Sequence, residues 1–190
     1  MNRVMSLFRV FPFLPQAHVA DPGGALHIPS QGGGRIDGPG RYSVLHLSDS
    51  AAGAAAEAFG RFPEWTAGML EGSPALPGSV RAIAQYRLAP DAAVCNLNDP
   101  AQLLALGLRP SDVVSRDYAV TRTWARKIYD QRAWIGVRWW SYYSPEWFSY
   151  GLWRIDGLRL ESVRPLTLDD PDLTGASRTI VRRIVGRSRH

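Results

Sequence analysis

Cysteine is almost missing. Cys95 stands alone in 190 residues, which excludes an intrachain disulfide and any zinc site built from cysteines. Such usage fits a reducing compartment. Histidine is scarce too: His18, His27, His46 and His190 show no i, i+4 spacing that would set two ligands on one helix face, so neither a metal centre nor a cofactor is expected. Lysine is reduced to Lys127 beside 21 arginines, a bias of coding composition rather than of chemistry.

Long apolar runs are lacking as well. The stretch from Val4 to Leu14 is cut by Arg9 and Pro12, with Pro15 just beyond it, whereas a secretion signal needs an unbroken apolar run. No segment approaches the ~20 apolar residues that cross a bilayer. A cytoplasmic protein without a membrane partner is expected. Acid is absent from residues 176–190, which hold Arg178, Arg182, Arg183, Arg187 and Arg189 and leave 17 basic and 17 acidic residues in positions 1–175. The net charge of +5 therefore sits at one chain end instead of over a folded face, so no direct nucleic-acid partner is expected. A solvated basic tail over 173–190 is expected beside one domain over 1–172.

What is present reads as a mixture of short strands and helices. Ser6–Phe11, Tyr42–Ser48, Val80–Leu88, Val94–Leu97, Ile135–Ser141, Leu152–Ile155 and Leu158–Val163 are β-rich or alternate. Asp49 or Ser50 caps a helix to Phe59 with Gly60 as its stop; Asp99-Pro100 opens a short helix ending at Gly107. Asp117 opens another over Tyr118–Gln131, with Val120, Trp124, Ile128 and Gln131 at helical spacing and its arginines facing away. Without regular βαβ alternation, an α+β domain with mixed, mostly antiparallel sheets is expected. No solenoid repeat is present.

Three features carry chemistry. Residues Asp21 to Arg41 contain seven glycines and three prolines, and Gly33-Gly34-Arg35 delivers a guanidinium from a turn whose amides are expected to be free for a phosphate. The plainer reading is an ordinary turn with a surface arginine. His46 lies eleven positions after Arg35 and Glu57 eleven positions after His46, and Glu57 is the one charged residue on an alanine-rich helix. A carboxylate there needs water or a partner, so it is either a functional acid or the helix's solvent stripe. Finally, nine of the twenty positions from Trp134 to Trp153 are aromatic; most belong in a core, while Arg138 and Ser141 add polar groups to faces that suit a planar ring.

Phe8-Arg9, Gly33-Gly34-Arg35, His46-Leu47-Ser48, Ala54–Glu57 and Arg138-Trp139-Trp140-Ser141, taken in order, resemble the RES domain family from about Leu7 to Arg164. The resemblance implies an ADP-ribosyltransferase-like fold and an NAD-consuming toxin paired with a helix-turn-helix-containing antitoxin that blocks the active site. It makes Arg35, Glu57 and Ser141 the catalytic set, and Arg9, Arg35, His46 and Ser141 the NAD-binding set, with NAD as substrate. The sequence departs at His46, where the family commonly has tyrosine, and at Ile36-Asp37, where an aromatic residue and asparagine are usual. On this reading Glu57 stabilises an oxocarbenium-like ribose as nicotinamide leaves, Arg35 and Arg9 hold the pyrophosphate, and Ser141 fixes the ribose or amide. A protein-modifying mono-ADP-ribosyltransferase and a non-catalytic binding module are the competing readings. A homodimer is left open.

Overall fold

The computed structural model describes residues 4–29 and 31–186; Arg187, Arg189 and His190 of the expected tail lie outside the described residues. Alternation sets the first strand, β1 (Met5–Phe13): Leu7 and Phe11 are buried on one face, while Phe8 and Val10 pack on the other. The glycine-rich stretch follows as loop. β2 (Leu45–Ser48) is shorter than the expected 42–48 because Tyr42 instead closes a bridge with Gly38 and stacks its ring on Tyr129. Ser50 then caps α1 (Ala51–Phe59) by accepting the Gly53 amide at 3.2 Å.

Next come β3 (Glu64–Trp65), a tight helical turn over 67–70, and a hairpin of β4 (Glu71–Ser73) with β5 (Leu76–Leu88). β6 (Val94–Asn96) leads to α2 (Pro100–Leu106), which has the Asp99 cap, the leading proline and a left-handed Gly107 at φ 68°. After α3 (Pro110–Val113), α4 (Tyr118–Asp130) buries Thr121, Trp124, Ala125 and Ile128. Val120, expected on that face, is exposed, and Arg122, expected to face solvent, turns back onto the glycine-rich loop. The chain finishes with β7 (Gly136–Trp140), β8 (Phe148–Leu152), β9 (Leu158–Pro165), α5 (Pro171–Thr179) and β10 (Arg183–Ile184). The strand expected over Leu152–Ile155 falls at β8 instead, since Gly157 makes a left-handed turn and the aromatic residues Phe148 and Tyr150 pair across to Trp140 and Arg138.

The large sheet runs β4-β5-β1-β2-β8-β7-β6, with β9 on β5. All its pairs are antiparallel except β6 with β7, as expected for a mixed α+β fold. One pairing is weak: β1 meets β2 only at Phe8 opposite Ser48, whereas β1 and β5 pair from Met5 opposite Leu88 to Phe13 opposite Val80. The sheet is thus two halves joined at one backbone pair. On one face, α1 and α5 cover the β1 side through Phe59, Trp65, Ile83 and Leu173, and α4 covers the β7 side through Trp124, Val137 and Trp139. Burying a side chain such as Phe59 or Leu173 contributes ~1.5–3 kcal/mol each.

Residues 173–186 are not a solvated tail. Asp170 caps α5 through the amides of Asp172 and Leu173, Leu173 and Ala176 enter the core against α1, and β10 pairs in parallel with β3. Asp170 in turn is gripped by Arg164, whose guanidinium hydrogen-bonds it and, at 2.7 Å, Asp172. Arginine content hid this fold because the residues of α5 that turn inward, Leu173, Thr174, Ala176 and Ser177, are half polar and give no apolar stripe. Among the described residues no helix is long and apolar enough to cross a membrane.

Candidate active site

Where β1 and β2 part, a cavity of about 830 Å³ opens. Phe8, Arg9 and Val10 line one side of the split and His46, Leu47 and Ser48 the other. α1 contributes Ala54, Glu57 and Ala58, and the glycine-rich loop contributes Gly34 and Arg35. Five arginines, Arg9, Arg35, Arg61, Arg116 and Arg182, reach the wall; among the described residues lining it Glu57 is the one acid. The volume lies within the ~300–1,000 Å³ usual for ligand sites, and the charge balance suits a ligand carrying more than one negative charge.

Glu57 owes its place to the small residues of its helix. Gly53 approaches β2 so closely that a Cβ there would stand 2.5 Å from Ser48 Oγ and 3.3 Å from Trp147, so only glycine lets α1 lie this near. With Ala54, Ala55 and Ala56 buried, Glu57 is the one exposed position of the helix, and it lies on the cavity wall. Its Oε1 accepts hydrogen bonds from Ser141 Oγ at 2.6 Å and from Ser149 Oγ at 3.2 Å. Ser141 also accepts the Tyr143 amide at 3.1 Å and is only 4% exposed, so it stands behind the carboxylate rather than in the cavity wall. Ser149, which does line the cavity, is opposite Ser48 in the β2–β8 register; that juxtaposition is long-range and leaves no local signal in the sequence. Burial pushes the Tyr143 phenol up, and the nearby Glu57 carboxylate adds to the effect.

The glycine-rich loop differs from its expected role in one respect. Two of its amides are not free: Gly32 and Gly34 donate to Asp37 Oδ2 at 2.7 and 2.8 Å, so the loop already encloses an anion of its own. Arg122 holds the loop's carbonyls, through Nη2 to Gly32 at 2.6 Å and through Nε to Gly34 at 3.2 Å, and Thr121 Oγ1 donates to the Arg35 carbonyl at 2.5 Å. Arg35 is thereby delivered to the cavity, its guanidinium hydrogen-bonded to the Ser115 carbonyl and 5.7 Å from the Tyr118 ring centre. Asp37 also takes a hydrogen bond from His46 Nε2 at 3.0 Å. Burial works against the charged form, yet the His46 bond and the two glycine amides outweigh it and hold the Asp37 carboxyl well below the usual carboxylate range.

Arg9 reaches the wall with one arm committed, Nη1 donating to the carbonyls of His27 at 2.8 Å and Ala25 at 3.2 Å. Burial lowers its pKa, with Tyr86 opposing. The aromatic cluster divides: Trp139, Tyr142 and Tyr143 line the cavity, whereas Tyr150 and Trp147 are core. The structure therefore gathers Arg9, Arg35, His46 and Glu57 around one space and sets Ser141 just behind it. Arg116 and Arg182 were hidden among a surplus of arginines; Arg182 also donates from Nη2 to the Gly60 carbonyl at 2.9 Å, closing the end of α1.

A sheet whose halves join at one backbone pair, with an arginine-rich cleft around a single serine-held carboxylate, defines an α+β domain with a cationic cleft. The chain belongs to the RES domain family, whose model matches residues 7–173. Its fold is similar to that of a chain in the crystal structure of the M. tuberculosis MbcT-MbcA toxin-antitoxin complex, with a TM-score of 0.61 and 16% identity over 94% of this chain and 90% of that one. No curated protein matches it significantly.

Proposed function

We propose that the protein cleaves the nicotinamide–ribose bond of NAD and, by depleting NAD, acts as the toxin of a toxin–antitoxin pair. The observation that carries this reading is one carboxylate, Glu57, fixed by two hydroxyls in a cavity otherwise ringed by arginines. Nicotinamide departs as a neutral molecule from a cationic nucleotide, so the step needs no strong acid. It needs a pyrophosphate held in place and a negative charge beside the ribose as positive charge develops there. Arg35 and Arg9 supply the first. Glu57 supplies the second: Oε1 is taken up by Ser141 and Ser149, which leaves Oε2 for a ribose hydroxyl. Ser141 is thus a positioning residue for the carboxylate, and Trp139, Tyr142 and Tyr143 offer faces for a planar ring.

Membership of the RES domain family and the likeness to a toxin–antitoxin complex support the toxin role and an antitoxin partner, for which a helix-turn-helix-containing protein covering the cleft is proposed. The test is direct: purified protein mixed with NAD should release nicotinamide. Mass spectrometry of the ribosyl product, with and without protein acceptors, separates hydrolysis from transfer. Intact NAD after prolonged incubation with folded protein overturns the reading.

A further inference from the structure

The hydrogen bond between His46 and Asp37 spans two elements that meet at the cavity, and it has the arrangement of a proton-accepting dyad. Asp37 is buried on the glycine-rich loop, with Oδ2 saturated by two backbone amides and Oδ1 turned to His46. An ionised carboxylate only accepts, so the proton in that bond belongs to His46 Nε2. In the uncharged form of the ring this bond selects the tautomer whose lone pair lies on Nδ1. His46 has 42% of its side chain exposed and lines the cavity; among the described residues Nδ1 has no hydrogen-bond partner. Gly34 leaves room for this arrangement: a Cβ there would stand 2.4 Å from Asp37 Oδ1.

The position fits the reaction. His46 and Ser48 lie on one face of β2, about 7 Å apart by the strand rise, and Ser48 is opposite Ser149, which holds Glu57. The imidazole and the Glu57 carboxylate therefore line one cavity. Once nicotinamide has left with the electron pair of the glycosidic bond, an incoming water must form the new C–O bond and give up a proton. Glu57 is committed to the two serine hydroxyls and to the ribose; the His46 imidazole is the remaining proton acceptor on the cavity wall.

Resting on the NAD reading above, we propose that His46 is the general base of the second half of the reaction and Asp37 its positioning residue. Water oxygen bonds to the anomeric carbon, the water proton passes to His46 Nδ1, and the imidazolium formed is paired with the Asp37 carboxylate. The products are nicotinamide, ADP-ribose and one proton, which the ring later returns to solvent. This is the logic by which a buried carboxylate orients a catalytic histidine, with the two ring nitrogens exchanged in role.

The experiment measures nicotinamide release from NAD by the wild type and by His46→Ala, Asp37→Asn and Glu57→Gln, with and without sodium azide, alongside thermal unfolding. His46→Ala is expected to lose on the order of 10²-fold in kcat, the usual contribution of a general base, with KM little changed. Azide carries no proton to be removed, so it should restore turnover to His46→Ala and to Asp37→Asn and yield an azido-ribosyl product. It should not restore Glu57→Gln, which lacks the charge that stabilises the sugar cation. A folded His46→Ala that turns over like the wild type, or one that azide leaves unchanged, overturns the dyad while the NAD reading stands. Absence of nicotinamide release from the wild type overturns the NAD reading itself, and the dyad with it.

Discussion

The two walls of the cleft are built by different physics. α1 is held by packing: its buried alanines, Gly53 against Ser48 and Trp147, Phe59 against Trp65, and α5 behind it fix the backbone that carries Glu57. The glycine-rich loop is held by polar tethers instead, from Asp37 to its amides and from Arg122 and Thr121 to its carbonyls. Tight packing fixes a side chain where charge has to meet a transition state with little reorganisation, and a tethered loop lets a guanidinium follow a substrate's phosphates. One wall should therefore govern turnover and the other affinity.

The sharpest way to break that contrast is to neutralise the packed wall without reshaping it. Glu57→Gln keeps the size of the side chain and removes its charge; turnover should fall ~10²–10³-fold, the cost of removing one transition-state stabiliser. Arg35→Ala, on the tethered wall, should raise KM for NAD far more than it lowers kcat. Steady-state kinetics of the two variants side by side decides the matter, and equal effects on kcat would show that the walls do not divide the work.

Packing can be broken as well. Gly53→Val places methyl groups where Ser48 Oγ and Trp147 already stand, and overpacking of this kind costs about 1–3 kcal/mol. Denaturant unfolding should register the loss, and an unchanged midpoint would mean that α1 can lift off β2 freely. Asp37→Asn weakens the tethered wall by a route that depends on pH. A carboxyl whose folded pKa lies below its unfolded value of ~3.9 adds stability that is complete above that value and lost as the pH falls through the folded one. The gap in thermal midpoint between wild type and Asp37→Asn at pH 5 should therefore close as the pH falls below about 4. A gap that widened in acid would contradict the sign.

How much of this could be read from the sequence follows the same division. The packed wall was legible because its signals are local: the Ser50 cap, the alanine run, Gly60 and the isolated charge at Glu57 lie within eleven consecutive residues. The α+β character and most strands were legible from alternation. The tethered wall was half legible. Glycines announced a loop and Arg35 its guanidinium, yet an acid three residues beyond Gly34 was the sign that the loop's amides had a partner in the chain itself. Ser149, Arg116 and Arg182 were illegible, since only the strand register, the placing of the loop before α4 and the fold of the last segment bring them to the cavity that Glu57 lines.

The smallest effect tests whether that last segment belongs to the packed wall. Arg182 donates from Nε and Nη2 to the Gly60 carbonyl at 3.1 and 2.9 Å, placing a positive charge at the C-terminal end of α1, where the helix dipole favours it. The group is partly exposed, so Arg182→Ala should lower stability by only ~0.3–1 kcal/mol, as for a surface charge at a helix end. Because Gly60 is one turn from Glu57, a loosened helix end should also lower kcat modestly without changing KM. If KM rose instead, Arg182 would be acting on the substrate's phosphates alongside Arg35, and the packed wall would have to be counted as part of the binding surface too.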